Sequence, residues 1–208
     1  MSFIGTKKKK LFRIYKEFNK EARKYIHLAV CKAGCADCCI DVGNIDITTL
    51  EGLVILDHLR TLPPSQQKAL NQRLEGNFWS KQQRKRLRCP FLSEKNVCQI
   101  YSVRPFSCRR LFSFEVCGPR GPVLPRKLWE TGEKALHKIY KLDEFGYSGH
   151  ISYVLRILKN PEFHKIYTHK ESLPERIEKE IRKYDLMANR NLLNKTRVLR
   201  LEKGLTQS

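Results

Sequence analysis

The chain has no long apolar run. Its best candidates, such as Ile151–Leu158, fall far short of the roughly 18–20 residues that a membrane helix needs. Met1–Thr6 lead straight into Lys7–Lys10 with no apolar h-region and no small-residue cleavage site, so no secretory signal is expected. The expectation is a protein of the reducing cytoplasm. A phosphate-binding glycine loop, the glycine spacing of a dinucleotide fold and a Ser–His–Asp order are also missing. Histidine is scarce: six residues, His27, His58, His137, His150, His164 and His169, lie scattered along the chain. Negative charge is scarce too, with 21 Asp and Glu against 41 Lys and Arg, a net charge of +20. A field of that sign attracts polyanions, so nucleic acid, ribosomes and anionic membranes are possible partners.

Cysteine is what the chain has in excess, with eight in 208 residues. In a reducing compartment, clustered thiols read as metal ligands before they read as disulfides. They form two groups, Cys31-x3-Cys35-x2-Cys38-Cys39 and Cys89-x8-Cys98-x9-Cys108-x8-Cys117. Short spacings let one turn of backbone aim several sulfurs at one point, and a distant segment then closes the site. Four thiolates hold zinc in a closed tetrahedron, and all-cysteine sets also hold iron–sulfur clusters. No histidine falls within either group, which removes the mixed zinc-finger types. Seven or eight sulfurs exceed one zinc tetrahedron and suit one cluster with spares, or two zinc ions. The expectation places an iron–sulfur cluster slightly ahead of zinc. Adjacent residues rarely ligate one metal together, so Cys38 and Cys39 are expected to differ in role.

Hydrophobic periodicity predicts a mainly α fold around an irregular cysteine-rich centre. Residues 11–30 read as an amphipathic helix, and Ile45–Ile47 as a short extended piece. Thr48 and Glu51 have the spacing of a capping box, opening a helix to about Arg60 before Pro63-Pro64. A further helix is expected over Ser65–Leu87, carrying a basic run. The stretch Cys89–Pro125 holds five of the nine prolines and four cysteines, and reads as loops and turns. Helices are then expected over Lys127–Phe145 with Gly146 as cap, Ser148–Lys159 and Pro174–Leu193. The division expected is a metal-binding domain over 1–125 with an N-terminal helix, and a helical extension over 126–208 packing on it, with a frayed basic tail.

Cys31-x3-Cys35-x2-Cys38-Cys39, then Cys89-Pro90-Phe91-Leu92, then Cys98-Gln-Ile-Tyr-Ser-Val-Arg104-Pro105-Phe-Ser-Cys108-Arg109, resembles the YkgJ-like cysteine-cluster family. That family is described as zinc- or iron-chelating, and the resemblance covers roughly residues 25–115. It implies Cys31, Cys35, Cys38, Cys39, Cys89, Cys98 and Cys108 as the ligand set; Cys117 joins them on its regular spacing. Arg104, Arg109 and Arg110 are placed to neutralise an anionic thiolate site, and Pro105 pushes Arg104 towards an extended conformation.

Two other readings stand beside chelation. A zinc-stabilised nucleic-acid or ribosome-binding module would use Lys81, Arg84, Lys85, Arg86 and Arg88 on phosphate. A small iron–sulfur enzyme is suggested by a similar cluster in the longer flagellin lysine methylases. Cys31-x3-Cys35-x2-Cys38 also has the spacing of radical S-adenosylmethionine enzymes, but the chain lacks their βα repetition.

Overall fold

A computed structural model of the chain describes residues 3–32, 34–40, 45–83, 86–118 and 121–194. The described elements are α1 (Phe3–Ile26), α2 (Asp37–Ile40), β1 (Asp46–Thr48), α3 (Thr49–Thr61), α4 (Pro64–Gln83), a 3-10 turn at Tyr101–Val103, α5 (Phe106–Arg109), α6 (Arg126–Leu142), β2 (Tyr147–His150), α7 (Ile151–Lys159), α8 (Pro161–His169), α9 (Glu175–Lys183) and β3 (Met187–Ala188). The fold is mainly helical, as the periodicity predicts.

The central helix is α3, because its sequence is apolar on every side. Leu50 and Val54 face a cluster built from Leu11, Tyr15 and Phe18 of α1 with Leu128, Ala135 and Ile139 of α6. Leu53, Ile55, Leu56 and Leu59 face a larger cluster that includes Leu70, Phe78, Phe91, Val154 and Phe163. Gly52 lets α7 approach closely: a Cβ there would lie 2.5 Å from Leu158 Cδ1. Truncating a buried leucine of α3 to alanine costs about 2–5 kcal/mol.

The capping box forms as read. The Glu51 amide donates to Thr48 Oγ1 at 3.2 Å, and the Thr48 amide donates to a Glu51 carboxylate oxygen at 2.9 Å. Several other expectations shift. α1 starts eight residues before position 11, because the lysine run is a good helix former, and it stops at Ile26. The Val30 amide is drawn instead to the Ser113 carbonyl at 2.9 Å. Helix α4 ends at Gln83 rather than Leu87. Helix α6 ends at Leu142 with Asp143 as C-cap, so Gly146 is not the cap. Residues 147–150 form a strand rather than the start of a helix, and 187–188 form another where one helix over Pro174–Leu193 was expected. Helix α8 was not anticipated. The expected frayed tail, apart from Asn194, lies outside the described residues.

The three strands make one antiparallel sheet in the order β1-β2-β3, with Asp46 opposite His150 and Tyr147 opposite Ala188. The buried positions of β2 are the polar Ser148 and His150, so no apolar alternation marks it in the sequence. Polar bonds hold this sheet to the helices. Asp143 Oδ2 accepts from Thr49 Oγ1 at 2.8 Å, from the Leu50 amide at 3.0 Å and from Asn189 Nδ2 at 3.2 Å. The Tyr167 hydroxyl donates to Oδ1. Burial pushes the Asp143 carboxyl up to about 6 even so.

Candidate metal centre

Three irregular segments meet beside the buried end of α3. The first runs from Val30 through α2, the second from Cys89 to Cys98, and the third from Pro105 to Cys117. Backbone bonds stitch them together. The Cys89 amide donates to the Cys39 carbonyl at 2.8 Å, which joins the two cysteine groups directly. Within the second segment, Ser93 donates to Val97 and Gln99 to Phe91, each at 2.9 Å, closing a tight hairpin with Leu92 opposite Cys98. The third segment is fixed from α3: Glu51, itself buried, accepts from the Phe106 amide at 2.7 Å and from the Tyr15 hydroxyl at 2.6 Å. One carboxylate therefore caps α3, ties down α1 and aims the turn that carries Cys108.

The thiols fall into two overlapping sets. Cys31 interacts electrostatically with Cys35, Cys117 and Cys38, and Cys108 with Cys89, Cys98 and Cys38. Cys38 belongs to both. Cys31, Cys35 and Cys38 are exposed, Cys89 is buried, and the other four are partly covered. The Cys38 and Cys39 sulfurs are 3.9 Å apart. A hydrogen bond from Cys39 brings the Cys38 thiol down to about 7, and donating that bond pushes Cys39 up.

Burial pushes the Cys89 thiol up to about 11, opposed by the Phe91 and Leu92 amides that reach its sulfur. The Cys98 thiol is likewise raised by burial and opposed by the Ile100 amide and by Arg104. Burial also raises Cys108 and Cys31, and the Ser113 amide reaches the Cys31 sulfur at 3.3 Å. Amides aimed at sulfur favour thiolate over thiol, the form that metals bind.

Among the described residues, no three Cys, His, Asp or Glu side chains stand in a ready metal-holding arrangement. Neutral thiols have little reason to close to the sulfur–sulfur spacing of about 3.8 Å that a zinc tetrahedron with 2.3 Å bonds requires. Coordination supplies that free energy. The residues fit such a group in three respects. Eight sulfurs lie near one another with the Asp37 carboxylate beside them, backbone amides already reach Cys31, Cys38, Cys89 and Cys98, and the adjoining loop holds buried donors that no described residue bonds. Arg104 Nε, Ser107 Oγ and Arg109 Nε have no hydrogen-bond partner among the described residues. A buried polar atom without a partner costs about 1–3 kcal/mol, and an anionic thiolate centre is the acceptor such donors lack.

The arginines divide. The Arg104 guanidinium lies 4.0 Å over the Tyr101 ring and acts on Cys38, Cys98 and Cys108. Arg109 lies 4.4 Å over Tyr15 and donates to the Ser102 carbonyl at 2.7 Å. Arg110 turns away to pair with Glu133 of α6. Of the basic run, Lys81 acts on Asp46, and Arg88 donates to Ser93 O at 2.8 Å and Asn96 Oδ1 at 3.0 Å. Arg86 also has a partner, while Arg84 and Lys85 lie outside the described residues. Sequence reasoning missed the loop-anchoring role of Glu51, with Tyr15, and missed Ser107 and Ser113. The capping-box spacing marked Glu51, but nothing in it signalled a second partner 55 residues on.

Fold and site together define a mostly helical protein built around a thiol-rich, amide-supported loop centre. Residues 30–119 match the CxxCxxCC family model, described as "Putative zinc- or iron-chelating domain", which is the cysteine-cluster family that the motifs resemble. The family's title spacing has two residues in its first gap, and this chain has three, the last being Gly34 with φ +88°. A left-handed residue is where glycine is favoured. No curated protein and no solved structure matches the chain. No helix among the described residues is long and apolar enough to cross a membrane.

Proposed function

We propose that the protein binds zinc or iron through thiolates of its cysteine-rich half, with an iron–sulfur cluster as the form that an excess of all-sulfur donors favours. Cys38, Cys39, Cys89, Cys98 and Cys108 form the inner set, and Cys31, Cys35 and Cys117 the outer one, which meets it at Cys38. A cluster supplies one-electron redox chemistry, whereas zinc holds the loops together and has no redox state. The observation that carries the reading is the convergence on Cys108: three other thiols from two distant segments, beside buried donors left without a partner. The chain's own residues have plain tasks. Glu51 orients the Cys108 turn, the Phe91, Leu92, Ile100 and Ser113 amides stabilise thiolate, and Arg104 offsets its charge.

The test is metal and sulfide analysis with a visible spectrum on protein purified without oxygen. Stoichiometric iron and sulfide with broad visible absorption establish a cluster. A colourless protein with stoichiometric zinc keeps chelation and removes the cluster. Neither metal at stoichiometry, or full retention of metal by Cys108→Ser, sinks the proposal.

A further inference from the structure

Among the described residues, Lys81, Arg86 and Arg88 of the run at 81–88 have partners, whereas α1 carries a row of basic residues without an ion pair. Lys9, Arg13, Lys16, Lys20 and Arg23 are all exposed. Their spacing alternates four and three residues, so at 100° per residue they form one straight stripe about 21 Å long. None of the five makes an ion pair among the described residues. The charged pairs of this helix belong to its flanks, Lys8 with Asp57, Lys24 with Glu21, and Glu17 with Lys138 of α6. Lys134 and Lys141 sit one turn either side of Lys138, so α6 adds a second cationic row beside the first.

We propose that this face of α1 is a docking line for the phosphodiester backbone of nucleic acid. Insertion into a membrane needs a continuous apolar helix face, and the apolar face of α1, Leu11, Tyr15, Phe18 and Ala22, is packed inside, which leaves only electrostatic attraction for a lipid surface. A phosphate chain needs only an unbroken row of unpaired cations on a rigid support, which this is. Phe12, 41 % exposed beside the stripe, offers a ring on which an unpaired base can stack. The surface is independent of the metal, so its failure leaves chelation standing.

The experiment is a salt titration of binding by the full metal-loaded chain to short single-stranded RNA, duplex DNA and anionic phosphatidylserine vesicles. Five phosphate contacts give a slope of log K against log salt near −3.5 for a single strand and −4.5 for a duplex, which also tells the two apart. Arg13→Glu/Lys16→Glu/Lys20→Glu is expected to lower nucleic-acid affinity at least about tenfold and to flatten the slope by about 2 or more. Lys68→Glu/Lys95→Glu/Lys183→Glu, an equal charge change elsewhere, is expected to shift it by less than about threefold at moderate salt. Should the reversed triple not fold, the same three positions as Gln carry the comparison. Equal losses in both triples would mean a diffuse field and overturn the proposal. So would tight vesicle binding without nucleic-acid binding, or no binding at low salt.

Discussion

Two buried polar regions flank α3, and they are finished to different degrees. On one side of its first turn, Asp143 gathers donors from α3, from α8 and from Asn189 just after β3, and both of its carboxylate oxygens are satisfied by the protein itself. On the other, the loop from Arg104 to Arg109 buries three donor atoms that no described residue satisfies. Evolved interiors rarely leave such atoms alone. The contrast is that one region closes its own hydrogen bonds, while the other leaves donors that the proposed thiolate centre would engage.

The widest way to open this difference is to remove the metal. Structural zinc contributes about 10–16 kcal/mol in small metal-dependent folds, so the loops that it orders depend on it. Chelation is expected to abolish hydrogen-exchange protection at the amides of Cys89, Gln99 and Cys108. Protection at Leu50 and Asp143 is expected to survive. A uniform loss across both regions would mean that the centre is not a separate unit of stability, and no loss at all would mean that it is not metal-ordered. Asp143→Ala strikes the finished region instead. It strands the Tyr167 and Thr49 hydroxyls and the Leu50 amide, leaves Asn189 its bond to the Asp143 carbonyl, and is expected to cost about 3–5 kcal/mol in denaturant unfolding with metal content unchanged. Loss of metal in this variant would break the comparison.

Glu51 sits between the two and tests whether they communicate. Glu51→Gln keeps the shape but replaces the charged acceptor of the Phe106 amide, the Tyr15 hydroxyl and the Thr48 amide. A hydrogen bond to a charged group contributes about 1.5–3 kcal/mol, and loss of support for a metal loop lowers metal affinity about 10–100-fold. The expected result is therefore a modest fall in stability with a larger fall in affinity, measured by competition with a chelator. An affinity that does not move would show that the Phe106 anchor is structural alone.

How far each region could be read in the sequence follows the same division. The cysteine-rich segments were legible as a family stretch because their signal is chemical and local: cysteine spacing, Pro90, Pro105 and the capping box at Thr48 all lie within a few residues of what they determine. The Asp143 region was not, because it is assembled from distant polar residues. Strand β2 hides polar side chains, and Gly149 earns its place by contact with Leu186, whose Cδ2 a Cβ would meet at 2.6 Å. Helix periodicity ran through residues 184–188 in the sequence, yet Asp185 takes φ +51° and the chain turns there to pair with β2. Propensity loses to a tertiary partner at each of these places. The two thiol sets were equally hidden, since spacing does not say which sulfurs face each other.

The finest comparison is by pH, where two groups of the finished half pull in opposite directions. His150 is buried, with Nδ1 3.1 Å from Ser152 Oγ, which in turn donates to Asn77 Oδ1. That chain needs a proton on Nδ1, which both the neutral ring and the imidazolium can supply, so the ring is kept neutral by burial rather than by the chain. Burial, with Lys81 nearby, brings its pKa down to about 3 from an ordinary 6.5. The unfolded chain then takes up a proton as pH falls below about 6.5 while the folded one refuses it, so this stability is present above 6.5 and lost on acidification. At about 1.4 kcal/mol per pH unit, the loss reaches about 2 kcal/mol by pH 5. Asp143 runs the other way: its raised pKa means that stability is lost as pH rises through about 6 and recovered on acidification. The wild type shows only the difference of these effects. In His150→Gln the first is gone, so its stability is expected to rise relative to wild type as pH falls from 6.5 to 5. Parallel pH profiles for the two proteins would show that the imidazole is not held neutral.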